Sequence, residues 1–124
     1  MKKSCILRGY ARFRTVMTRG QRFEGVLLRC FILKDPTVSA GIRFGFVVPS
    51  RKFNAVMRNR LKRLMRESVA GQWPAWVGTL VRAGKGLDVV VFYKGSGTRL
   101  SRRVQLRDVD LDLERIRSNA AAVL

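Results

Sequence analysis

The stretch Leu87-Asp88-Val89-Val90-Val91-Phe92-Tyr93 is apolar at every position but Asp88. A strand of this kind has no polar face to turn to water, so it predicts a place inside a sheet that is covered on both sides. Lys94-Gly95-Ser96-Gly97 closes it as a turn. Phe23 to Leu33 reads as another kind of strand. Val26, Leu28, Cys30 and Ile32 point one way and are all apolar, while Leu27, Arg29, Phe31 and Leu33 point the other. Lys34-Asp35-Pro36-Thr37-Val38-Ser39-Ala40-Gly41 is turn-forming, and Arg43 to Val48 reads as a strand ended by Pro49-Ser50. Their succession predicts an antiparallel hairpin.

The remaining segments read as helices. Tyr10, Phe13, Val16 and Met17 recur at spacings of three and four, which predicts a short helix from Gly9 to Arg19 ended by Gly20. Asn54 is the candidate N-cap of a second helix that runs to about Ala70, with Gly71 as its stop. Gly71 to Gly86 is expected to be a connection with a helical turn, its Trp73 and Trp76 packed on the core. A last helix is expected from near Asp108 or Asp110, with Leu111, Ile116 and Ala120 available to the core. The order predicts an α+β sandwich, a mixed sheet with helices against one face and the other face open to a ligand. A chain of 124 residues suits one hydrophobic core, so 1–124 is expected to be a single domain.

Charge then narrows the function. Lys and Arg number 26 against 8 Asp and Glu, a net charge of +18, and there is no histidine. Such self-repulsion is tolerated when a polyanion neutralises it, and a phosphate backbone does so while releasing counterions. Nucleic acid is therefore the leading partner and an anionic membrane the second. Between Met1-Lys2-Lys3 and Arg8 only Ser4-Cys5-Ile6-Leu7 intervenes, too short for a signal-peptide core. No run approaches transmembrane length. The expectation is a cytoplasmic protein with no membrane association. Cys5 and Cys30 have no metal-ligand spacing and are read as reduced thiols, Cys30 buried.

The cations concentrate in Arg58-Asn59-Arg60-Leu61-Lys62-Arg63-Leu64-Met65-Arg66. On a helical wheel Met57, Leu61, Leu64, Met65 and Ser68 share one side, and Arg58, Asn59, Lys62, Arg63 and Arg66 the other. A solvated helix face ordinarily mixes signs. Here Arg58, Lys62 and Arg66 form a like-charged row at i, i+4 and i+8, with Glu67 the lone acid of the segment. That row is destabilising unless phosphates lie across it.

A protein nuclease needs a general base or a carboxylate cage for metal ions. The acidic cluster Asp108-Val109-Asp110-Leu111-Asp112-Leu113-Glu114 would align its carboxylates for Mg²⁺ if it were a strand. As the start of a helix it would instead favour the macrodipole, which is the preferred reading. Gly84-Lys85-Gly86 and Gly95-Ser96-Gly97 are read as turns, and no phosphate-binding loop is present. No catalytic residue and no metal ligand is assigned.

Asn54-Ala55-Val56-Met57-Arg58-Asn59-Arg60-Leu61-Lys62-Arg63-Leu64-Met65-Arg66-Glu67 resembles the signature of the ribonuclease P protein component family. Phe13, Val16, Met17 and Gly20 fit the family's first helix and turn, Arg43-Phe44-Gly45-Phe46 its strand before the signature, and Asp88-Val89-Val90-Val91 its later strand. The chain departs from the pattern at Phe53, where glycine is usual, at Met17, where an aromatic is common, and at Ser68-Val69-Ala70, where Phe-Arg often follows the signature.

The resemblance implies a ribosomal-protein domain 2-like fold, with a mixed four-stranded sheet and a left-handed βαβ crossover. It implies a protein subunit that binds the catalytic ribonuclease P RNA and the 5′ leader of precursor tRNA and assists removal of that leader. Mg²⁺ would be held mainly by the RNA, and no obligate protein partner is expected. The residues that would meet RNA are Arg51, Lys52, Arg58, Asn59, Arg60, Lys62, Arg63 and Arg66. Phe13, Met17 and Phe31 match the family's leader-binding cleft, and Arg29 lies beside Phe31 on the same strand face. An aromatic next to a cation suits single-stranded RNA, where bases stack and phosphates pair. A ribosomal or other structural RNA-binding protein, and a duplex-DNA-binding domain, are the alternatives.

Overall fold

A computed structural model describes residues 5–35, 41–84, 86–95 and 101–124. The elements follow in the order α1 (Tyr10–Arg19), β1 (Gln21–Glu24), β2 (Leu28–Asp35), β3 (Ile42–Val47), α2 (Ala55–Gly71), α3 (Trp73–Ala83), β4 (Gly86–Tyr93) and α4 (Leu106–Val123). The strands form one sheet in the order β1-β2-β4-β3. β4 runs antiparallel to β2 and parallel to β3, and the helices α2 and α3 make the crossover between β3 and β4.

The apolar run of β4 has the interior position expected of it, with every residue buried except the half-buried Phe92. This same run overturns the expected hairpin. β4 lies between β2 and β3, so Val89 pairs with Ile32 on one side and Phe44 on the other. A strand apolar on both faces gains most from two neighbours, whereas β3 tolerates an edge. That edge is partly covered by the chain start, where the Leu7 N–H donates to the Phe44 carbonyl at 2.8 Å. Residues 36–40 of the turn-forming stretch, and Ser96 and Gly97, lie outside the described residues.

The single strand expected from Phe23 to Leu33 is two strands. Gly25-Val26-Leu27 is the turn between β1 and β2, and Val26 is 72% exposed rather than core-facing. Leu28, Cys30 and Ile32 do form the core face. The connection after Gly71 is a full helix, α3, with Pro74 in its first turn and Gly84 in the left-handed region at its C-cap (φ 67°). Trp76 is buried, its ring edge-on to Phe44 at 5.0 Å. The last helix starts at Leu106, earlier than expected, because Gln105 and Asp108 form a reciprocal capping box there. Ile116 and Ala120 face the core as expected, joined by Val109 and Leu113, but Leu111 is 62% exposed.

Helices lie on both faces rather than one. The main core fills the space between the sheet and α2, α3 and α4. α1 crosses the other face, where Val16, Leu7 and Val90 form a second, smaller core. The rest of that face stays accessible beside α1.

Candidate nucleic-acid interface

α2 begins where Asn54 accepts a hydrogen bond from the Met57 N–H at 2.9 Å, the expected cap, which contributes about 1 kcal/mol. Met57, Leu61, Met65 and Ser68 are buried against the core and Leu64 is half-buried. Asn59, Arg63 and Arg66 are exposed, and Arg58 and Lys62 are half-buried along the same flank. Among the described residues none of Arg58, Lys62, Arg63 and Arg66 has a carboxylate partner. Arg66 lies over the Phe46 ring at 5.9 Å, which holds its guanidinium against the β3 edge. Arg51 and Lys52 are exposed in the loop before the cap, and Phe53 is buried, edge-on to Tyr93 at 5.6 Å. The side chain at the position where the family has glycine is thus a core anchor for the loop.

Arg60 behaves differently from its neighbours. Its guanidinium turns away from solvent and donates to two backbone carbonyls, Ser101 at 3.2 Å and Val104 at 2.6 Å.

On the opposite face of the sheet, α1 brings Phe13 and Met17 together with Phe31, Leu33 and Val47 around Val16 and Val90. Gly45 makes this possible. A Cβ at that position would overlap the distal end of the Phe13 ring, so the ring sits against bare β3 backbone. A groove of about 460 Å³ runs along α1, lined by Tyr10, Phe13, Arg14, Met17, Thr18 and Val47. Tyr10, 82% exposed, is an aromatic of this groove that sequence reasoning did not assign to the site. Arg29 shares the sheet face but is held, with its Nε 2.5 Å from Glu24 and its guanidinium 5.9 Å over Phe92. The Lys94 hydrogen bond foremost, and Arg29 with it, keeps the Glu24 carboxyl below its ordinary value against the opposing effect of burial.

A second ion cluster closes one end of this face. Asp88, 1% exposed, accepts a bidentate pair from Arg43 at 2.7 Å each and a hydrogen bond from Arg12 Nε at 2.6 Å. Arg12 reaches on to Asp35 at 2.7 Å. Burial works to lower the Arg12 pKa, but Asp88 and Asp35 together carry it above its ordinary value. The one clue in sequence was a lone acid inside an apolar run.

The acidic cluster is helical, as preferred, and its carboxylates serve separate structural ends. Asp108 accepts from the Gln105 N–H, Asp110 from the Ser68 hydroxyl, and Asp112 from three backbone N–H groups of the β1–β2 turn. A Mg²⁺ cage does not fit acids so dispersed and so engaged.

Cys30 and Cys5 are free thiols. Burial, with the Asp112 charge added, pushes the Cys30 thiol well above the ordinary cysteine range. A thiol reagent at neutral pH is expected to titrate Cys5 in the native protein and to reach Cys30 only after denaturant is added. A colorimetric thiol titration with and without urea checks this.

No helix among the described residues is long and apolar enough to cross a membrane. The sequence profile of the family described as Ribonuclease P matches residues 1–117. The Ribonuclease P protein component of Nitrosomonas eutropha is 39% identical over 69 residues, covering 55% of this chain and 57% of that protein. The Finegoldia magna protein of the same description is 35% identical over 94 residues, covering 76% and 74%. The chain thus spans little more than half the length of the first of these relatives. Among solved structures, the RNase P protein from Thermotoga maritima superposes with a TM-score of 0.70 at 24% identity, over 91% of this chain and 96% of that one. The Staphylococcus aureus RNase P protein gives 0.69 at 18%, over 95% and 96%. Those two likenesses speak to the fold, which they share, and the profile speaks to descent over nearly the whole sequence: the chain belongs to the Ribonuclease P family of proteins.

Proposed function

We propose that the chain is the protein subunit of a ribonucleoprotein endoribonuclease, binding a ribonuclease P RNA and the 5′ leader of precursor tRNA. The observation that carries this reading is the cationic flank of α2, whose like-charged row has no carboxylate partner among the described residues. A row of this kind is stabilised by phosphates laid across it. The groove along α1 supports the second part. Phe13, Tyr10 and Met17 give unstacked bases a surface, and Arg14 stands beside them for phosphates.

The reaction is hydrolysis of the phosphodiester bond between leader and mature tRNA, leaving a 5′ phosphate on the tRNA. Mg²⁺ for that step is held mainly by the RNA subunit. The chain's own part is electrostatic and positional. Its net charge of +18 offsets repulsion between two RNAs, and the groove lengthens the contact to include the leader. Of the eight positions proposed for RNA contact, Arg51, Lys52, Arg58, Asn59, Lys62, Arg63 and Arg66 lie along or before α2 with their side chains toward solvent or half-buried. Arg60 stands apart, as its guanidinium is turned to the backbone carbonyls of Ser101 and Val104.

The test is multiple-turnover cleavage of a precursor tRNA at low Mg²⁺ by a bacterial ribonuclease P RNA, with and without the protein. The native protein is expected to restore cleavage at the mature 5′ end. A Lys62→Ala/Arg63→Ala/Arg66→Ala variant is expected to bind the RNA roughly 100-fold more weakly, with the log–log salt slope shallower by about 2. Binding without any effect on cleavage would instead favour a structural RNA-binding role.

A further inference from the structure

The segment between β4 and α4 is pinned where it enters α4. Ser101 is fully buried, its hydroxyl 2.9 Å from the Tyr93 hydroxyl, and Val104 is buried in the main core. The carbonyls of these two residues are the two that Arg60 holds. Between them lie Arg102 and Arg103, both exposed, and neither has an ion-pair or hydrogen-bond partner among the described residues. Arg103 flanks a groove shared with Leu27, Leu111, Arg115 and the carboxylates of Asp108 and Asp112, which are engaged by backbone N–H groups. With both flanking residues buried and their carbonyls clamped, the two arginines have nowhere to go but solvent. Their backbone is ordered in advance, so a ligand that meets them has less chain entropy to remove.

On this basis, which rests on the RNA-binding reading above, we infer that Arg102 and Arg103 form a second phosphate-contacting element continuous with the cationic flank of α2. Arg60 is the positioning residue that fastens this element to α2, and it is not itself an RNA ligand. RNA is the partner that fits. The pair adjoins α2 through Arg60, one step round the helix from the exposed Arg63, so a phosphate backbone crossing the Asn59 and Arg63 side of α2 meets the next two positive charges at this loop. An arginine fork suits the clamping role, since one planar guanidinium reaches two carbonyls at a fixed spacing, which a lysine cannot reproduce.

The experiment is equilibrium binding of the full-length protein to a bacterial ribonuclease P RNA over a salt series, with urea midpoints recorded for every variant. Arg102→Ala/Arg103→Ala is expected to bind about tenfold more weakly with a slope shallower by roughly 1.5, as two lost phosphate contacts require, and with an unchanged urea midpoint. Arg60→Ala is expected to give a similar loss alone and no further loss in the Arg102→Ala/Arg103→Ala background, because it acts through that loop. Unchanged affinity and slope for Arg102→Ala/Arg103→Ala would overturn the second element. A full additional loss from Arg60→Ala in that background would overturn the positioning role and make Arg60 a direct ligand. The Lys62→Ala/Arg63→Ala/Arg66→Ala variant separates the two levels. If it weakens binding while Arg102→Ala/Arg103→Ala does not, only this inference fails; if neither does, the RNA-binding reading itself fails.

Discussion

Asp112→Ala is expected to destabilise the protein by about 3–5 kcal/mol, read as a shift of the urea unfolding midpoint, with the slope of the transition unchanged. Asp112 is 4% exposed and its two oxygens accept from the N–H groups of Val26 at 2.7 Å, Leu27 at 3.0 Å and Leu28 at 2.8 Å. It thereby ties the β1–β2 turn to α4. Alanine leaves these three donors without an acceptor; the Leu28 N–H is buried away from water and those of Val26 and Leu27 are partly so, and an orphaned group costs about 1–3 kcal/mol when enclosed. Gly25 is part of the same device, because a Cβ there would stand 2.5 Å from Asp112 Oδ1. Asp112→Asn is expected to lose less, about 1–2 kcal/mol, since one carbonyl oxygen remains and the amide brings donors of its own against N–H groups. A midpoint for Asp112→Ala equal to the native one would show that the turn is not held from α4.

Asp112 also marks the boundary of what could be read in the chain. It sits 84 residues from Leu28, and nothing local in Asp108 to Glu114 distinguishes an acid that caps a distant turn from one that only favours a helix dipole. Where the determinant is local, sequence reasoning succeeded: Asn54 caps α2, the wheel divides that helix correctly, and the apolar run of β4 lies inside the sheet. Period-two alternation identified β2 and β3 as strands but says nothing of partners, and adjacency along the chain misassigned the pair that β4 separates. The turn at Gly25-Val26-Leu27 was hidden because apolar residues continue through it. α3 was underestimated because Gly78 and two tryptophans weaken its helical pattern, although Pro74 in its first turn and Gly84 at its C-cap are residues that favour helix ends. The site divides the same way. Phe13, Met17 and Phe31 came from family resemblance, and they do meet; Gly45, which gives Phe13 its seat, and Asp88, which holds the adjacent arginines, depend on contacts across the sheet. Arg60 falls on the edge between the apolar and basic sides of the wheel, and only tertiary structure shows that its donors face the segment before α4.

Asp88→Leu is the second large effect, an expected loss of about 3 kcal/mol with its consequences concentrated on α1. Removing one member of a buried charge cluster leaves the others uncompensated, which costs about 3–5 kcal/mol when they are fully enclosed. Arg12 and Arg43 retain side-chain exposures of 28% and 31%, so water relieves part of that penalty and the lower figure applies. Because Asp88 itself is enclosed, the loss should persist at high salt, unlike that of a surface pair. Replacing Asp88 together with both of its arginines tests the cause. In Arg12→Leu/Arg43→Leu/Asp88→Leu neither arginine is stranded and Asp35, with its side chain 15% exposed, loses only its bond to Arg12, so part of the stability lost in Asp88→Leu is expected to return. If the triple variant is less stable than Asp88→Leu, the arginines hold α1 by packing and not by charge. Arg12 is the link from Asp88 and Asp35 to α1, so amide exchange in Tyr10–Arg19 is expected to accelerate in Asp88→Leu more than exchange in Ala55–Gly71. The groove that α1 shares with Val47 would then lose its fixed width. On the proposed function, leader-dependent affinity for precursor tRNA should fall while affinity for the catalytic RNA, which that proposal assigns to α2 on the other side of the sheet, is kept.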